Sequence, residues 1–345
     1  MDFALNEEQQ MLYESAQRFF VDNHPTARAR KALPLSDAAQ QKLWSDMAGM
    51  GWMSLLAPES MDGLGLGITE AYLVAEAGGR QLLNLPWASS AVLLPLWVQS
   101  LEKNAPEALL TLLSGILSGE RVVHCVDERD PTRDFASQCT DLLVVRGLHD
   151  ARQPLQFALT SPTTSTATTT AFGLDPTVTQ SQSSAESLSW QTLELSTAGR
   201  EHARAAYRLM LCAELIGVAQ SALQLGAAYA AERVQFGKPI GSYQAIKHQL
   251  ANAWMAMDNA RLAALYASAA LDGRLPDARF ACAAAEFTAM EGALNTTRCV
   301  IQVHGGMGFT WEHDAHLYLK RAQRLAARLG GVSKALTAVE EWALA

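Results

Sequence analysis

Gln302-Val303-His304-Gly305-Gly306-Met307-Gly308-Phe309-Thr310-Trp311-Glu312-His313-Asp314 is the stretch that decides the fold. Three glycines in four residues let a backbone come close to a ligand or to another chain. No strand precedes them, so a Rossmann phosphate loop is disfavoured. His313, Asp314 and His316 invite a metal assignment, but no further ligands stand at metal spacing, and a polar helix start explains them better. Upstream lies Glu232-Arg233-Val234-Gln235-Phe236-Gly237-Lys238-Pro239-Ile240-Gly241-Ser242-Tyr243-Gln244. Gly237 and Pro239 break a long helix, and Ser242 is placed to cap the next one. Arg233 beside an aromatic suits an anionic ligand, because a guanidinium fork pairs with phosphate. The competing reading is a plain turn in which Arg233 satisfies the last helix carbonyls.

Around these segments the chain is alanine-rich and helical. Ile246, Leu250, Ala253, Met257, Ala260, Ala264 and Ala267 follow steps of three and four, as on the buried face of a helix. Gly273 stops that helix and Pro276-Asp277 opens the next. Residues 199–345 therefore read as a helical bundle. Residues 119–198 change character: Arg121–Val126 and Asp141–Val145 have strand length and β-branched content, Thr160–Thr170 is a solvent-facing Ser/Thr run, and Asp175-Pro176 signals a turn. Residues 1–118 are mainly helical. Asn6-Glu7-Glu8-Gln9 is a helix start, and Thr69 is placed to cap a helix ended by Gly78-Gly79. Leu82–Val98, broken by Pro86 and Pro95, reads as buried core and not as a membrane span. The architecture is α–β–α.

The 345 residues carry 27 Lys+Arg and 35 Asp+Glu, a formal net charge of −8. That balance opposes nucleic-acid binding, which needs a basic face. Hydrophobic residues at 49% and charged residues at 18% exclude global disorder. Five cysteines without a C-x-x-C pair suggest neither a disulfide framework nor a zinc ribbon. With an acidic N-terminus lacking a signal-peptide pattern, a cytoplasmic location is expected.

Taken together, Arg233/Phe236/Gln244 and Gln302/Gly305-Gly306/Gly308 resemble the acyl-CoA dehydrogenase family of flavoproteins. The likeness extends to Phe3-Ala4-Leu5-Asn6-Glu7-Glu8-Gln9 and to Pro58-Glu59 followed by Gly63-Leu64-Gly65. It implies an α+β fold: an α-helical N domain (1–118), a small β-barrel middle domain (119–198) and a C-terminal four-helix bundle (199–345). It further implies FAD as cofactor, an acyl-CoA substrate, α,β-dehydrogenation, and an electron-transfer acceptor. Arg233, Phe236 and Gln244 would touch the FAD of a neighbouring subunit, and Gln302, Gly305 and Gly306 would approach the same cofactor. No metal is implied.

The chain departs from the family in two places. Cys125-Val126-Asp127-Glu128-Arg129-Asp130-Pro131 stands where the family has a Thr-Glu-Pro-x-x-Gly-Ser-Asp segment that covers the flavin. Leu329-Gly330-Gly331 stands where the family's usual catalytic glutamate lies, and its alternative position falls on Tyr207, a poor base at neutral pH. Arg208 matches an arginine the family keeps near the substrate. Glu214, two turns beyond Tyr207 in an apolar setting, is the remaining candidate base, set against a structural pairing with an arginine of a neighbouring helix. Short members of the family, including those acting on steroid or bile-acid side chains, often assemble as α2β2. The expected role is thus the partner chain of such a complex. The alternatives are a self-sufficient dehydrogenase, forming homo-oligomers, with an unorthodox base, and a helical scaffold without flavin. The small residues of Pro86–Leu94 would suit a bulky acyl group or ordinary core packing equally.

Overall fold

A computed structural model describes residues 5–343 apart from 33, 131, 136, 149–152, 162–172 and 183–187. The helical first zone holds α1 (Glu7–Asn23), α2 (Thr26–Ala29), α3 (Ala38–Gly49), α4 (Ile68–Arg80), α5 (Leu94–Leu101) and α6 (Glu107–Leu117). Strands β1 (Val123–Asp127), β2 (Thr132–Asp134), β3 (Asp141–Arg146), β4 (Leu155–Thr160), β5 (Gln180–Gln182) and β6 (Gln191–Leu193) follow. The last zone runs through α7 (Thr197–Glu232), the short strands β7 (Val234–Gln235) and β8 (Lys238–Pro239), then α8 (Gln244–Asp272), α9 (Ala278–His304), α10 (Ala315–Arg328) and α11 (Val332–Ala343). Most of the Ser/Thr run, residues 162–170, lies outside the described residues.

The chain folds into two compact units, one of residues 1–30, 72–83 and 208–345, the other of residues 31–71 and 84–207. These units cut the chain differently from the three compositional zones. The reason is visible in the first unit, where α4 lies against α7 at backbone distance. A Cβ on Gly79 would sit 2.2 Å from the Glu214 carbonyl oxygen, and one on Gly217 would sit 2.1 Å from that of Glu76. Gly78 and Gly79 therefore do not end α4, as their sequence position suggests. They lie inside it, where Gly79 admits the neighbouring backbone.

Other local expectations meet a mixed outcome. Asn6 and Gln9 form a reciprocal capping box at the start of α1 (2.8 and 3.2 Å). Helix α4 begins at Ile68, so Thr69 is helical and not its cap; the Gly67 N–H donates instead to Glu70 (2.9 Å). Tyr243 and not Ser242 occupies the N-cap of α8. Gly273 caps the C-terminus of α8, and Asp277 opens α9. Helix α9 packs along α8, α10 and α11, with alanines buried down its length. One helix among the described residues, α7, is long and apolar enough to cross a membrane; 61% of its most apolar window is buried, as in a core helix.

In the second unit β1 pairs parallel with β3, which continues antiparallel into β4 and β6. A separate two-stranded sheet joins β2 and β5. Residues 84–98 are largely buried, and Ser89–Leu93 form a π-helical turn. There the Ser90 hydroxyl donates to the Val123 carbonyl (2.8 Å) and accepts from the Val123 N–H (3.0 Å), pinning the turn to β1.

Candidate functional site

The candidate residues are best read from the end of α7 forward. After Glu232 the chain forms a two-stranded hairpin, Val234 opposite Pro239 and Gln235 opposite Lys238. Its two-residue turn is Phe236-Gly237, with φ of +52° and +82°. A tight hairpin wants positive φ at both central positions. Glycine adopts that freely, but a phenylalanine does so at a cost of about 1–2 kcal/mol. Phe236 is nevertheless 93% exposed, so no burial in this chain offsets the strain. The hairpin base is held firmly. Tyr243 donates to the Gln235 carbonyl (3.2 Å), Lys238 sits over the Tyr243 ring (4.3 Å), and Ile240 N–H donates to the Arg233 carbonyl (2.8 Å). The side chains of Arg233 and Gln244 are exposed and unpaired among the described residues.

The glycine-rich turn is built from the end of α9. Gly305 has φ +59°, outside the range comfortable for a side chain, and begins a short 3-10 turn to Phe309. Gly308 is packed, since its Cβ would meet His304 and Ile301 at 3.1–3.2 Å. Gly306 differs: it has neither a positive φ nor any atom within 4 Å of a Cβ position. Nothing among the described residues calls for glycine there, and the open space suits a group arriving from outside. Gln302 is exposed beside it.

Rings join the two segments. Tyr229 of α7, whose carbonyl accepts the Arg233 N–H, stacks on His304 at 4.3 Å. His304 lies 4.2 Å from His313 and donates from Nδ1 to the Val300 carbonyl (2.7 Å). Burial holds the His304 pKa below the usual imidazole value. Among the described residues no group of His, Cys, Asp or Glu could hold a metal ion. His313 accepts from the Ala315 N–H at the start of α10 (3.3 Å).

The candidate acid-base residues fall into two separate clusters. Glu214 Oε1 accepts from Arg321 (2.7 Å), which is fully buried and also donates to the Leu83 carbonyl (2.8 Å); Arg324 stands 3.9 Å away. The carboxylate thus joins α7 to α10, the arginine pairing that the structural alternative describes. Arg208 is elsewhere. Its guanidinium forks onto Glu286 of α9 with two bonds of 2.6 Å and donates to the Leu329 carbonyl (2.6 Å). Sequence reasoning misses Glu286. Its one signal is a lone carboxylate directly after the small apolar run Ala281–Ala285. Cys282, one turn before Glu286, has its thiol pushed up to about 12, chiefly by burial and then by the Glu286 charge.

In the middle zone, the segment standing at the expected flavin cover closes on itself. Asp127 Oδ1 accepts from the Arg129 backbone (2.9 Å) and side chain (2.8 Å), and Oδ2 from the same guanidinium (2.9 Å). Strand β1 leading into it is buried throughout.

Known proteins resemble this chain. Residues 6–115 match the acyl-CoA dehydrogenase N-terminal domain, and residues 201–337 the acyl-CoA dehydrogenase C-terminal domain. Acyl-CoA dehydrogenase IpdE2 of Mycobacterium tuberculosis (strain ATCC 25618 / H37Rv) is 31% identical over 335 residues, covering 97% of this chain and 96% of that protein. The fold is that of the ChsE4-ChsE5 complex from Mycobacterium tuberculosis, with a TM-score of 0.82 at 23% identity over 99% of this chain and 98% of that one. It is also that of the FAD complex of PigA, with a TM-score of 0.79 at 19% identity over 99% and 98%.

Proposed function

The chain belongs to the acyl-CoA dehydrogenase family, and we propose that it serves as the partner chain of an FAD-dependent acyl-CoA dehydrogenase that desaturates a thioester between its α and β carbons. The carrying observation is the hairpin: a strained Phe236, 93% exposed, rising from a rigid base beside an unpaired Arg233. Such an arrangement has no use within its own fold, and it suits a cofactor bound in another chain. FAD would supply the hydride-accepting chemistry. Arg233 would pair with its pyrophosphate, Phe236 would offer a flat apolar face, and Gln244 and Gln302 would hydrogen-bond. Gly305 and Gly306 would leave room for close approach, which fits the open space at both positions.

Two features support the partner role over self-sufficiency. The Asp127–Arg129 turn satisfies its own polar groups at the position of the expected flavin cover. Glu214 is committed to Arg321. The ChsE4-ChsE5 complex gives a precedent of a complex that contains a chain of this fold, and a steroid-like acyl group with an electron-transferring acceptor, in line with a steroid ACAD and an electron transferring flavoprotein among the chains of similar fold, completes the reading.

Arg208–Glu286 favours a second reading, a self-sufficient enzyme. That pair brings a carboxylate to the arginine that also holds Leu329, so Glu286 joins Glu214 as a candidate for its base. Flavin counting separates the two. The chain purified alone is expected to be colourless or sub-stoichiometric in FAD, and to help retain FAD when co-expressed with a second dehydrogenase-like chain. A stoichiometric yellow preparation of the lone chain that oxidises an acyl-CoA would overturn the partner role.

A further inference from the structure

His304 ends α9 immediately before Gly305 and Gly306, and only 3% of it is exposed. Three rings from three parts of the first unit meet around it. Tyr229 of α7 stacks on His304 at 4.3 Å, His313 stands 4.2 Å from it, and Tyr229 and His313 are 6.1 Å apart. His304 precedes the glycine turn and His313 follows it, so the ring cluster ties the turn at both ends.

The Val300 carbonyl can only accept, so Nδ1 of His304 carries the proton and the neutral ring keeps a bare lone pair on Nε2. Nε2 is enclosed and has no hydrogen-bond partner among the described residues. A second proton would have to go there, on a nitrogen with no acceptor and beside another imidazole. The bond to Val300, at a helix C-terminus, favours a charged ring. Burial outweighs it, and a charge on His313 acts in the same direction as burial. Of the other titratable groups on the neighbouring elements, Glu232, Arg233, Lys247 and His248 are exposed. Asp314 is paired with Arg30 (2.5 Å), and His316 packs edge-on against Trp311 (4.8 Å). Among the described residues, His313 is the one charge that acts on His304.

We propose that His304 is a proton-sensitive positioning residue: neutral and clasped by Tyr229 and His313, it holds the glycine turn in place for the cofactor, and on acidification it takes a proton from solvent at Nε2, leaves the ring cluster and loosens the turn. The contact with the cofactor rests on the function proposed above, whereas the release of the turn is a property of this chain alone. A released ring has the ordinary imidazole affinity for protons and the clasped ring a lower one. The clasp is therefore fully present above about pH 6.5 and weakens as pH falls below it.

Hydrogen exchange of the lone chain tests the clasp, read by mass spectrometry over residues 304–310 at pH 7.5, 6 and 5 and corrected for the intrinsic pH dependence of exchange. Protection is expected to fall roughly threefold or more between pH 7.5 and 5, while peptides from the middle of α8 keep theirs. His304→Phe keeps a ring for Tyr229 but takes no proton, and it should remove that pH dependence. His313→Gln, on a half-buried side chain, should make it shallower by removing the second charge. Unchanged protection in the parent chain, or an equally steep loss in His304→Phe, overturns the proposal. If His304→Phe does not fold, a profile as steep in His313→Gln as in the parent overturns it instead. In the complex co-expressed with a second dehydrogenase-like chain, FAD retention should fall in step with protection and be independent of pH in His304→Phe. Equally acid-sensitive retention in His304→Phe overturns the link to the cofactor. A complex that holds no FAD at any pH refutes the partner-chain reading, and exchange in the lone chain still decides on the clasp.

Discussion

Replacing Glu214 by glutamine separates its two candidate roles. Arg321 is fully buried, and Glu214 is 19% exposed. Removing one partner of a buried ion pair costs about 3–5 kcal/mol, because the other charge is left in low dielectric. Glutamine keeps the shape and one acceptor, and Arg321 keeps its bond to the Leu83 carbonyl. The partial exposure of the carboxylate lowers the loss further. The expected destabilisation is about 2 kcal/mol, or roughly 30-fold in the folding equilibrium. It should appear as a lower urea midpoint with an unchanged slope. Glu214→Leu, which removes the acceptor altogether, should reach the upper part of the range. Turnover per folded complex should change less than about threefold, since an ion-pair role touches no substrate atom. The refuting result is the converse: stability within about 0.5 kcal/mol of the parent with turnover abolished. That outcome would return Glu214 to the role of base.

Four further outcomes are expected. His24 is fully buried, and burial lowers its pKa from 6.5 to about 4. The unfolded chain therefore takes the proton first: His24 contributes its full stability above pH 6.5, loses it as pH falls toward 4, and the total is about 3 kcal/mol. Urea midpoints at pH 7.5 and 5 should diverge, and His24→Gln should flatten the difference. Arg233→Gln should weaken FAD retention in the co-expressed complex by about 10–100-fold while leaving the lone chain's melting temperature unchanged. Glu286→Gln should cost about 1–2 kcal/mol of stability and leave turnover of the complex within a few-fold; lost turnover would favour the self-sufficient reading. Gly79→Ala should destabilise by about 3 kcal/mol through the clash with the Glu214 carbonyl, whereas Gly49→Ala, with open space around it, should be neutral or better.

Much of the fold is legible in the sequence because its signals are local. Asn6 and Gln9 cap α1 with atoms three residues apart, and the alanine stripe from Ala253 to Ala267 encodes one buried face of α8. What escapes depends on neighbours remote in sequence. Gly78-Gly79 reads as a helix stop in isolation, yet Gly79 is set by Glu214, far along the chain on another helix. Ser89 and Ser90 look like space left for a ligand, but Ser90 is used to bond β1.

The site residues divide along the same physical line. Arg233, Phe236 and Gln302 can be singled out from sequence because their surroundings in this chain do not explain them. An exposed, strained phenylalanine and a glycine with nothing against its Cβ position have no fold-internal cause, so a pattern of residue types carries their meaning. Glu214 and Glu286 are the opposite case. Each sits in an apolar run on a long helix, and both look alike until their arginines are known. Arg321 and Arg208 lie on other helices, and the choice between ion pair and base is made by three-dimensional geometry alone. Buried carboxylates are thus weak candidates for catalysis until their partners are placed, while exposed residues that the fold does not need are strong candidates for contact with another molecule.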